Sequence, residues 1–319
     1  MGSCRGNNLI EIFSLSISDL FVYVPSLRHK TFLKILYVIS PHITMALSLQ
    51  LLAKSISMVT IDNNPSQKAW NKIPQLTLLF WITKITATTF GETGGDLVAQ
   101  TLKVGYGIST IIFFGFFLVM VISQLAVKTY IPVIYWSVIV ATSVAGTTMS
   151  DFMDRTLGLG YAIGSLILIS ILILILVIWR ITEKSLSVTD IKSFRGEAFY
   201  WTAILFSNTL GTALGDFLAD SSGLGFGGSA ALISGVIVFI ILAYYFTKIS
   251  RVILFWIAFV LTRPFGATFG DLLTKSHEKG GMDYGTKGAS AILLVFLIIL
   301  VVYETRKLNK QKATSTLAN

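Results

Sequence analysis

The sequence predicts an all-α integral membrane protein whose eight transmembrane helices form four tandem helical-hairpin repeats in parallel orientation. Three observations support this prediction: the composition, the length of the apolar runs, and a pattern that recurs four times. Of the 319 residues, 54% are hydrophobic and only 13% are charged, whereas about 25% of an average soluble domain is charged. The apolar runs match the roughly 20 residues that a helix needs to cross hydrocarbon, and they do not alternate as strands of a membrane barrel would.

The recurring pattern is a Trp, a Gly ten residues later, and an Asp five residues after that. Each copy lies inside an apolar segment long enough to cross a bilayer, so the pattern indicates one structural unit that is used four times. The copies are Trp81–Gly91–Asp96, Trp136–Gly146–Asp151, Trp201–Gly211–Asp216 and Trp256–Gly266–Asp271.

Hydropathy assigns two helices to each repeat. The first helix carries the pattern and is polar for a membrane span, whereas the second consists mainly of Leu, Ile, Val and Phe, as expected of a helix that faces lipid. The helices are expected at 76–102 and 107–127, 131–155 and 160–179, 197–220 and 226–246, and 252–275 and 287–303, which gives repeats of about 76–127, 131–180, 197–246 and 252–303.

Three parts of the chain follow from this assignment. The membrane domain of four repeats covers 66–305, and residues 306–319 form a basic cytoplasmic tail. Residues 1–65 are an N-terminal extension outside the repeats. Anchoring against anionic lipid is the simplest role for the basic tail, so the net charge of +9 requires no nucleic-acid partner.

The N-terminal extension contains a candidate ninth helix at 35–54. No signal peptide is expected, because this apolar stretch lies too far from the start and lacks a small-residue cleavage site. We hypothesise that the natural protein starts at Met45 or Met58, in which case residues 1–57 would not belong to it.

The distribution of Lys and Arg predicts the topology. If every repeat is a hairpin, the side of the membrane that holds the termini and the loops between repeats carries thirteen basic residues, and the other side carries five. The positive-inside rule then places both termini in the cytoplasm and the four Asp residues toward the outer face. The thirteen are Lys68, Lys72, Lys128, Arg180, Lys184, Lys192, Arg195, Lys248, Arg251, Arg306, Lys307, Lys310 and Lys312; the five are Lys103, Arg155, Lys275, Lys279 and Lys287.

Small residues line one side of each patterned helix. Because small-xxx-small spacing lets helices approach closely in lipid, and because the spacing recurs in register with the Asp residues, we expect a common packing mode. The glycines expected to mediate helix packing are Gly91, Gly95, Gly146, Gly211, Gly215, Gly266 and Gly270.

Polar residues four apart form a second line on each patterned helix. A carboxylate that faces lipid is costly, so the four Asp residues are expected to face a shared protein interior and to line a substrate or ion pathway. The alternative is that each Asp merely ends its helix, although the helix dipole disfavours an acid there. The residues expected along the pathway are Asp96, Asp151, Asp216, Asp271, Glu92, Thr88 and Asn208.

Two charged residues break the similarity of the repeats. Glu92 occurs only in the first repeat and Arg263 only in the fourth. An Arg in the middle of a span is costly without an anion, so we expect an intramembrane ion pair between Glu92 and Arg263. The pair either closes the assembly of repeats or contributes to substrate binding.

The ligand types in the polar helices favour a hard cation. Carboxylate, hydroxyl and amide oxygens suit Mg²⁺, Ca²⁺, Mn²⁺, Na⁺ or protons, and the sequence leaves the identity of any metal open. Only three His and one Cys are present, which argues against zinc, copper and haem sites, and no cofactor is expected. No nucleophile, phosphate-binding or zinc-protease motif occurs, so the chain is not expected to be an enzyme.

Three segments resemble a known family. "FWITKITATTFGETGGD" (80–96), "FYWTAILFSNTLGTALGDFLAD" (199–220) and "LFWIAFVLTRPFGATFGDLL" (254–273) are similar to a bacterial integral membrane family of four tandem repeats of unknown function. Each repeat of that family has two transmembrane regions and a characteristic Trp. The resemblance covers roughly 66–305 and implies a multi-pass protein of the bacterial inner (plasma) membrane, but it implies no reaction, substrate or catalytic residue.

Two functions of different class follow. The first is a transporter or permeation pathway for a small hard cation or a proton-coupled solute, lined by the repeated Asp residues. The second is a non-transporting scaffold or partner-binding protein whose polar helices only pack the repeats together. Transport predicts a continuous aqueous path past several Asp residues, whereas a scaffold predicts buried and mutually bonded ones. The sequence does not define the oligomeric state or how the repeats are arranged about an axis.

Overall fold

A computed structural model describes Lys72 and residues 74–188, 191 and 193–317. Over these residues the protein has eight α-helices and no strands. The candidate ninth helix and the extension at 1–65 lie outside the described residues.

The eight helices agree with the expected spans to within a few residues, except that the last runs on through most of the basic tail. A five-residue π-helical turn directly follows α1, α3 and α5, at Leu97–Thr101, Phe152–Thr156 and Phe217–Ser221. The helices are α1 (Leu78–Asp96), α2 (Tyr106–Ala126), α3 (Pro132–Asp151), α4 (Tyr161–Glu183), α5 (Phe194–Asp216), α6 (Gly225–Phe246), α7 (Arg251–Thr274) and α8 (Gly285–Leu317).

Local sequence explains where the helices begin. The side-chain oxygen of Ser193 accepts from the backbone N of Gly196 at 2.9 Å and caps α5, and Pro132 occupies the first turn of α3, where its missing N–H is not needed. The turn inside each hairpin ends on a glycine with positive φ, a conformation that costs glycine little. These glycines, Gly105, Gly160, Gly225 and Gly285, have φ of 83°, 73°, 66° and 68°.

The four patterned helices α1, α3, α5 and α7 form a closed ring, in which each packs against the two neighbouring inner helices. Aromatic contacts join the beginnings of these helices, for example Phe80 to Trp136 with ring centroids 5.6 Å apart. Ion pairs join their ends, for example Lys275 Nζ to Asp96 Oδ2 at 2.7 Å. The four helices of the ring therefore run in the same direction, with the Trp residues at one end and the Asp residues at the other.

The other four helices surround the ring with a shift of one repeat. Helix α2 packs on α3, α4 on α5 and α6 on α7, and α8 packs back on α1. Each outer helix thus covers the inner helix of the following repeat, and the last covers the first. Their outer faces are strongly apolar and exposed, as Ile111, Phe239 and Ile292 illustrate.

Six of the eight helices are long and apolar enough to cross a membrane; α1 and α5 are the two that fall short. The sequence prediction of eight spans is therefore supported by composition for six. The reason is the polarity of the two helices: α5 contains several Thr, Ser, Asn and Gly residues, and α1 carries the charged Lys84, Glu92 and Asp96, each of which is at most 3% exposed. Because the ring and not lipid surrounds them, these charges are compatible with a helix at membrane depth.

Glycines set the spacing of the inner helices. A Cβ added to Gly146 of α3 would lie 2.9 Å from the backbone N of Thr209 on α5, and one added to Gly95 of α1 would lie 3.0 Å from Thr147 Cβ on α3. Gly211 and Gly215 meet α7, while Gly266 and Gly270 of α7 meet α1. The small-residue lines thus mediate the same close approach at all four interfaces of the ring.

Candidate functional site

The axis of the ring is identified by one side chain. Arg263, on α7, is fully buried, and its Nη2 donates to Glu92 Oε2 on α1 at 3.1 Å. The same nitrogen lies 2.5 Å from Thr147 Oγ1 on α3 and 2.7 Å from Thr212 Oγ1 on α5. Arg263 therefore contacts all three other inner helices, which places its guanidinium at the centre of the ring.

The expected pair of Glu92 and Arg263 lies between the first and fourth repeats, as the sequence predicted. Glu92 is 3% exposed, so both charges are removed from water. Such a pair is strongly destabilised by the loss of one partner, because the other charge is then left buried and alone.

Toward the Trp end, a second cation crosses the ring. Lys84 is fully buried, and its Nζ lies 3.5 Å from Asn208 Oδ1 and 4.0 Å from the centre of the Phe259 ring. The amide of Asn208 donates in turn to Thr142 Oγ1 at 2.9 Å. Asn208 thus links α1, α3 and α5. The Thr88 hydroxyl instead donates to the backbone carbonyls of Ile85 and Thr262.

The four Asp residues lie together at the opposite end of the ring, each at most 3% exposed. They form two pairs, each bridged by one cation. Lys275 Nζ lies 2.7 Å from Asp96 Oδ2 and 3.2 Å from Asp271 Oδ1, joining α1 and α7.

The second pair joins α3 and α5. Arg155 Nε lies 2.7 Å from Asp151 Oδ1, and its Nη2 lies 3.1 Å from Asp216 Oδ2. The bridging side chains are 34% exposed for Arg155 and 18% for Lys275, so this end of the ring is where buried carboxylates come nearest to solvent.

The sequence reasoning missed these bridging roles. In the second and fourth repeats a cation follows the Asp by four residues, which places it on the same face of the helix. The spacing gives Asp151 with Arg155, and Asp271 with Lys275, and was therefore visible in the sequence. Helical structure continues beyond every Asp: α7 runs on to Thr274, whereas α1, α3 and α5 end at their Asp residues and are directly followed by π-helical turns.

Three of the carboxylates can share a cation. Glu92, Asp96 and Asp271 are all buried, and each offers a carboxylate oxygen within 4.8 Å of the others. Oxygen ligands of this kind suit Mg²⁺, Ca²⁺ or Mn²⁺. The ammonium of Lys275 contacts two of the three, so a bound metal ion would compete with that side chain.

Arg263 has hydrogen-bonding capacity left over. Its Nε and Nη1 have no partner among the described residues, although the side chain is fully buried. A buried donor without an acceptor costs about 1–3 kcal/mol, and more when it is charged. These two nitrogens are therefore buried donors without an acceptor at the centre of the ring.

The repeats match a known family. The model described as Repeat of Unknown Function (DUF347) matches residues 79–130, 134–185, 199–250 and 254–307, and each match contains one copy of the Trp–Gly–Asp pattern. Neither the search of curated proteins nor that of solved structures gives a match. The four matched segments cover more than half of the chain, which therefore belongs to the DUF347 repeat family.

Proposed function

We propose that this protein is a multi-pass membrane protein that conducts protons or a small hard cation along the axis of its inner ring. The observation that carries the proposal is the column of ionisable side chains along that axis, in which Lys84, Glu92, Arg263 and the Asp residues are buried and the bridging cations Lys275 and Arg155 are more exposed. Lys84 and Asp96 are twelve residues apart on α1, which is about 18 Å along a helix and a large part of the hydrocarbon thickness. A span with this many buried charges indicates a pathway for ions or protons.

The energetics support a role beyond packing. A buried ion pair is often no more stabilising than apolar residues of the same volume, so a scaffold alone gains little from these charges. The column contains five carboxylates and four cations, and no apolar side chain could exchange a proton or coordinate an ion. The carboxylates are Glu92, Asp96, Asp151, Asp216 and Asp271, and the cations are Lys84, Arg155, Arg263 and Lys275.

Lys275 supplies a way for a cation to enter. The cation approaches from the more exposed end, where it displaces the ammonium from Asp96 and Asp271, and Glu92 completes its oxygen ligands. The four-carbon stem of lysine lets the ammonium swing aside, and the ion pair reforms when the cation leaves. In this scheme the structure corresponds to the resting state.

The basic residues orient the pathway. The Trp end of the ring, the loops between repeats and the end of α8 lie on the side with more Lys and Arg, which we assign to the cytoplasm. Both termini are then cytoplasmic and the Asp residues lie toward the outer face. The assigned location is the bacterial inner membrane, with the bilayer and a small cation as partners.

A scaffold without transport is the second candidate, and two observations favour it. The four Asp residues are each at most 3% exposed and paired with cations, as a scaffold predicts, whereas transport predicts an aqueous path past them. Each Asp is engaged by a cation that also contacts a neighbouring inner helix, so the same residues can serve to tie the ring together. The two functions differ in whether the column exchanges ions.

Ion flux in proteoliposomes distinguishes them. Purified protein is tested with internal dyes for pH and for Mn²⁺ or Ca²⁺, alongside Asp96→Asn and Asp216→Asn. Asp220→Asn is the matched control, because this carboxylate is exposed. Conduction predicts flux that falls at least tenfold in the two buried variants and persists in the control. Absence of flux for every ion, with folded protein, would favour the scaffold.

A further inference from the structure

One buried acid differs from the others in the described part of the chain because no cation is paired with it. Seven acidic side chains are buried there, and six of them form ion pairs with Lys or Arg. The seventh is Asp154, in the π-helical turn that follows α3, which is 5% exposed and forms no ion pair with a described residue. The six paired acids are Glu92, Asp96, Asp151, Glu197, Asp216 and Asp271.

The hydrogen bonding of the Asp154 carboxyl group is also incomplete. Ser150 Oγ lies 3.2 Å from Asp154 Oδ2, whereas Oδ1 is buried and has no partner among the described residues. The guanidinium of the adjacent Arg155 is held by Asp151 and Asp216. A buried carboxylate with one hydrogen bond and no counter-ion is costly, and such a group is neutralised by taking up a proton.

A glycine on the outer helix α4 makes room for this carboxyl group. A Cβ added to Gly164 would overlap Asp154 Oδ1 and would lie 2.8 Å from its Cγ. Gly164 is the fourth residue after Gly160, the positive-φ glycine of its hairpin. The notch that receives the carboxyl group is therefore particular to the second repeat, since the equivalent buried residues of the other repeats all carry a Cβ: Ser109, Ser229 and Ala289.

The acid is an exchange in the opposite direction. The residue three positions after the Asp of the pattern is buried in every repeat, and outside the second repeat it is Ala99, Ala219 or Thr274. The second repeat thus has a larger residue, Asp154, against a smaller one, Gly164, where the first and third repeats have alanine and serine. This paired exchange indicates a fold that is built to enclose a carboxyl group at this point.

The surrounding elements bring no free cation to Asp154. The outer helices α2 and α4 both pack on its turn, and near this end their ionisable groups are phenols. The one cation, Arg155, is engaged by two other carboxylates. The ionisable residues that the turn, α2, α3, α4 and α5 place at this end of the bundle are Tyr106, Asp151, Arg155, Tyr161, Asp216 and Asp220.

We infer that Asp154 is a proton-binding site at the Asp end of the bundle, outside the axial column. With the proton bound, Oδ2 donates it to Ser150 Oγ, because a hydroxyl can accept as well as donate, and Oδ1 remains a neutral carbonyl oxygen beside Gly164. A proton needs no opening of ligand size. Water is close, since the turn reaches the surface at Arg155, whose side chain is 34% exposed.

Release of the proton is coupled to the contact between the two helices of the second repeat. A carboxylate becomes hydrated only by leaving the notch, which separates the end of α3 from the beginning of α4. None of the residues on the axis takes part in this step, so the site does not depend on whether the ring conducts ions.

Infrared difference spectroscopy of the full-length protein in nanodiscs tests the site. The C=O stretch of a protonated carboxyl group is separate from the bands of carboxylates, and the spectrum of the natural sequence minus that of Asp154→Asn isolates this one group. We expect a protonated-carboxyl band in that difference at pH 7. Asp220→Asn is the matched control, because this acid is exposed and should give carboxylate bands instead. Carboxylate bands for Asp154 at pH 7 would overturn the proposal.

The pH dependence of stability provides a second measurement. At pH 7 the folded protein holds a proton that the unfolded chain has released, since a free Asp ionises near about pH 3.9. Stability must then fall as the pH rises. Between about pH 5 and pH 8 the apparent melting temperature of the natural sequence should therefore fall relative to that of Asp154→Asn. A difference that stays constant over this range contradicts the proposal.

A compensated variant tests the notch. Gly164→Ser adds atoms where the carboxyl group lies, so it should expel that group, lower the melting temperature and abolish the protonated-carboxyl band at pH 7. Asp154→Ala combined with Gly164→Ser reproduces the residues of the first and third repeats and should restore the melting temperature. If Gly164→Ser is too unstable to purify, rescue in the double variant supports the contact. Absence of rescue, or a band that persists in Gly164→Ser, counts against it.

Discussion

The two halves of the inner ring share a framework but not a charge pattern. At the positions four, eight and twelve residues before the Asp of each inner helix, α1 and α7 together carry Lys84, Glu92 and Arg263. The equivalent positions of α3 and α5 hold uncharged residues: Ile139, Ser143, Thr147, Ile204, Asn208 and Thr212. Both halves nonetheless use the same glycine contacts and the same paired Asp residues. The repeat therefore specifies the architecture, and departures from it concentrate the candidate chemistry on α1 and α7.

The largest effect on stability is expected from disrupting the ion pair between Glu92 and Arg263, which join α1 and α7. Glu92→Arg or Arg263→Glu alone places like charges together in the core and should lower the free energy of unfolding by at least roughly 3–5 kcal/mol. The double exchange should recover most of this loss, because opposite charges again face each other between α1 and α7. Denaturant titration in detergent measures the three variants, and the absence of any rescue would show that the two residues do not depend on each other.

The shared framework should respond equally in both halves. Gly146→Ala pushes a methyl group toward the backbone of α5, and Gly266→Ala pushes one toward the backbone of α1. Each should cost about 1–3 kcal/mol through overpacking. Gly115→Ala on the outer helix α2 meets nothing within 4 Å and should be neutral or slightly stabilising. Apparent melting temperatures test this, and a much smaller cost in one half would mean that the ring is not packed uniformly.

Removal of the two bridging cations, Lys275 and Arg155, should have different effects on metal binding. Lys275→Gln frees a cluster of three carboxylates, so millimolar Mn²⁺ or Ca²⁺ should stabilise this variant, by about 1.4 kcal/mol when the metal is at tenfold its Kd. Arg155→Gln frees only Asp151 and Asp216, and we expect little response to metal. Thermal shifts with and without the metal measure the difference. Equal thermal shifts of the two variants with metal would show that the two halves of the ring do not differ in metal binding.

The smallest effect on stability is expected at Lys84. Its ammonium is buried and contacts an amide oxygen and an aromatic ring, but it lies within 4 Å of no carboxylate in the described structure. Lys84→Met should therefore raise the free energy of unfolding by about 1 kcal/mol, since a desolvated charge is removed. Lys103→Met, at an exposed position, serves as the control. A marked loss of stability in Lys84→Met would show that the buried ammonium is better compensated than these contacts suggest.

Much of the architecture could be predicted because it depends on local periodicity. The recurrence of Trp, Gly and Asp defined four equivalent inner helices, and the glycine spacing indicated that they approach closely. The pairing of Glu92 with Arg263 followed from the cost of a lone charge in a span. Each of these inferences required only the spacing along one helix or the chemistry of one residue.

The arrangement of the repeats depends on contacts between distant parts of the chain. Nothing in the sequence of α8 specifies that it packs on α1 instead of on the preceding α7, because its apolar faces would suit either. The grouping of four equivalent Asp residues into two pairs likewise depends on which of its two neighbouring inner helices each bridging cation contacts. The unpartnered N–H of Trp201 was not foreseeable, since Trp81, Trp136, Trp201 and Trp256 occur in the same pattern.

The displacement of every outer helix onto the following repeat has a consequence for biogenesis. No single hairpin buries its own inner helix, so the outer surface of α1 is covered only once α8, the second helix of the fourth repeat, has been synthesised. The contact between α8 and α1 closes the outer layer of helices. It follows that the loops between repeats are interchangeable as breakpoints, and a circularly permuted chain that begins at α3 should assemble into the same bundle.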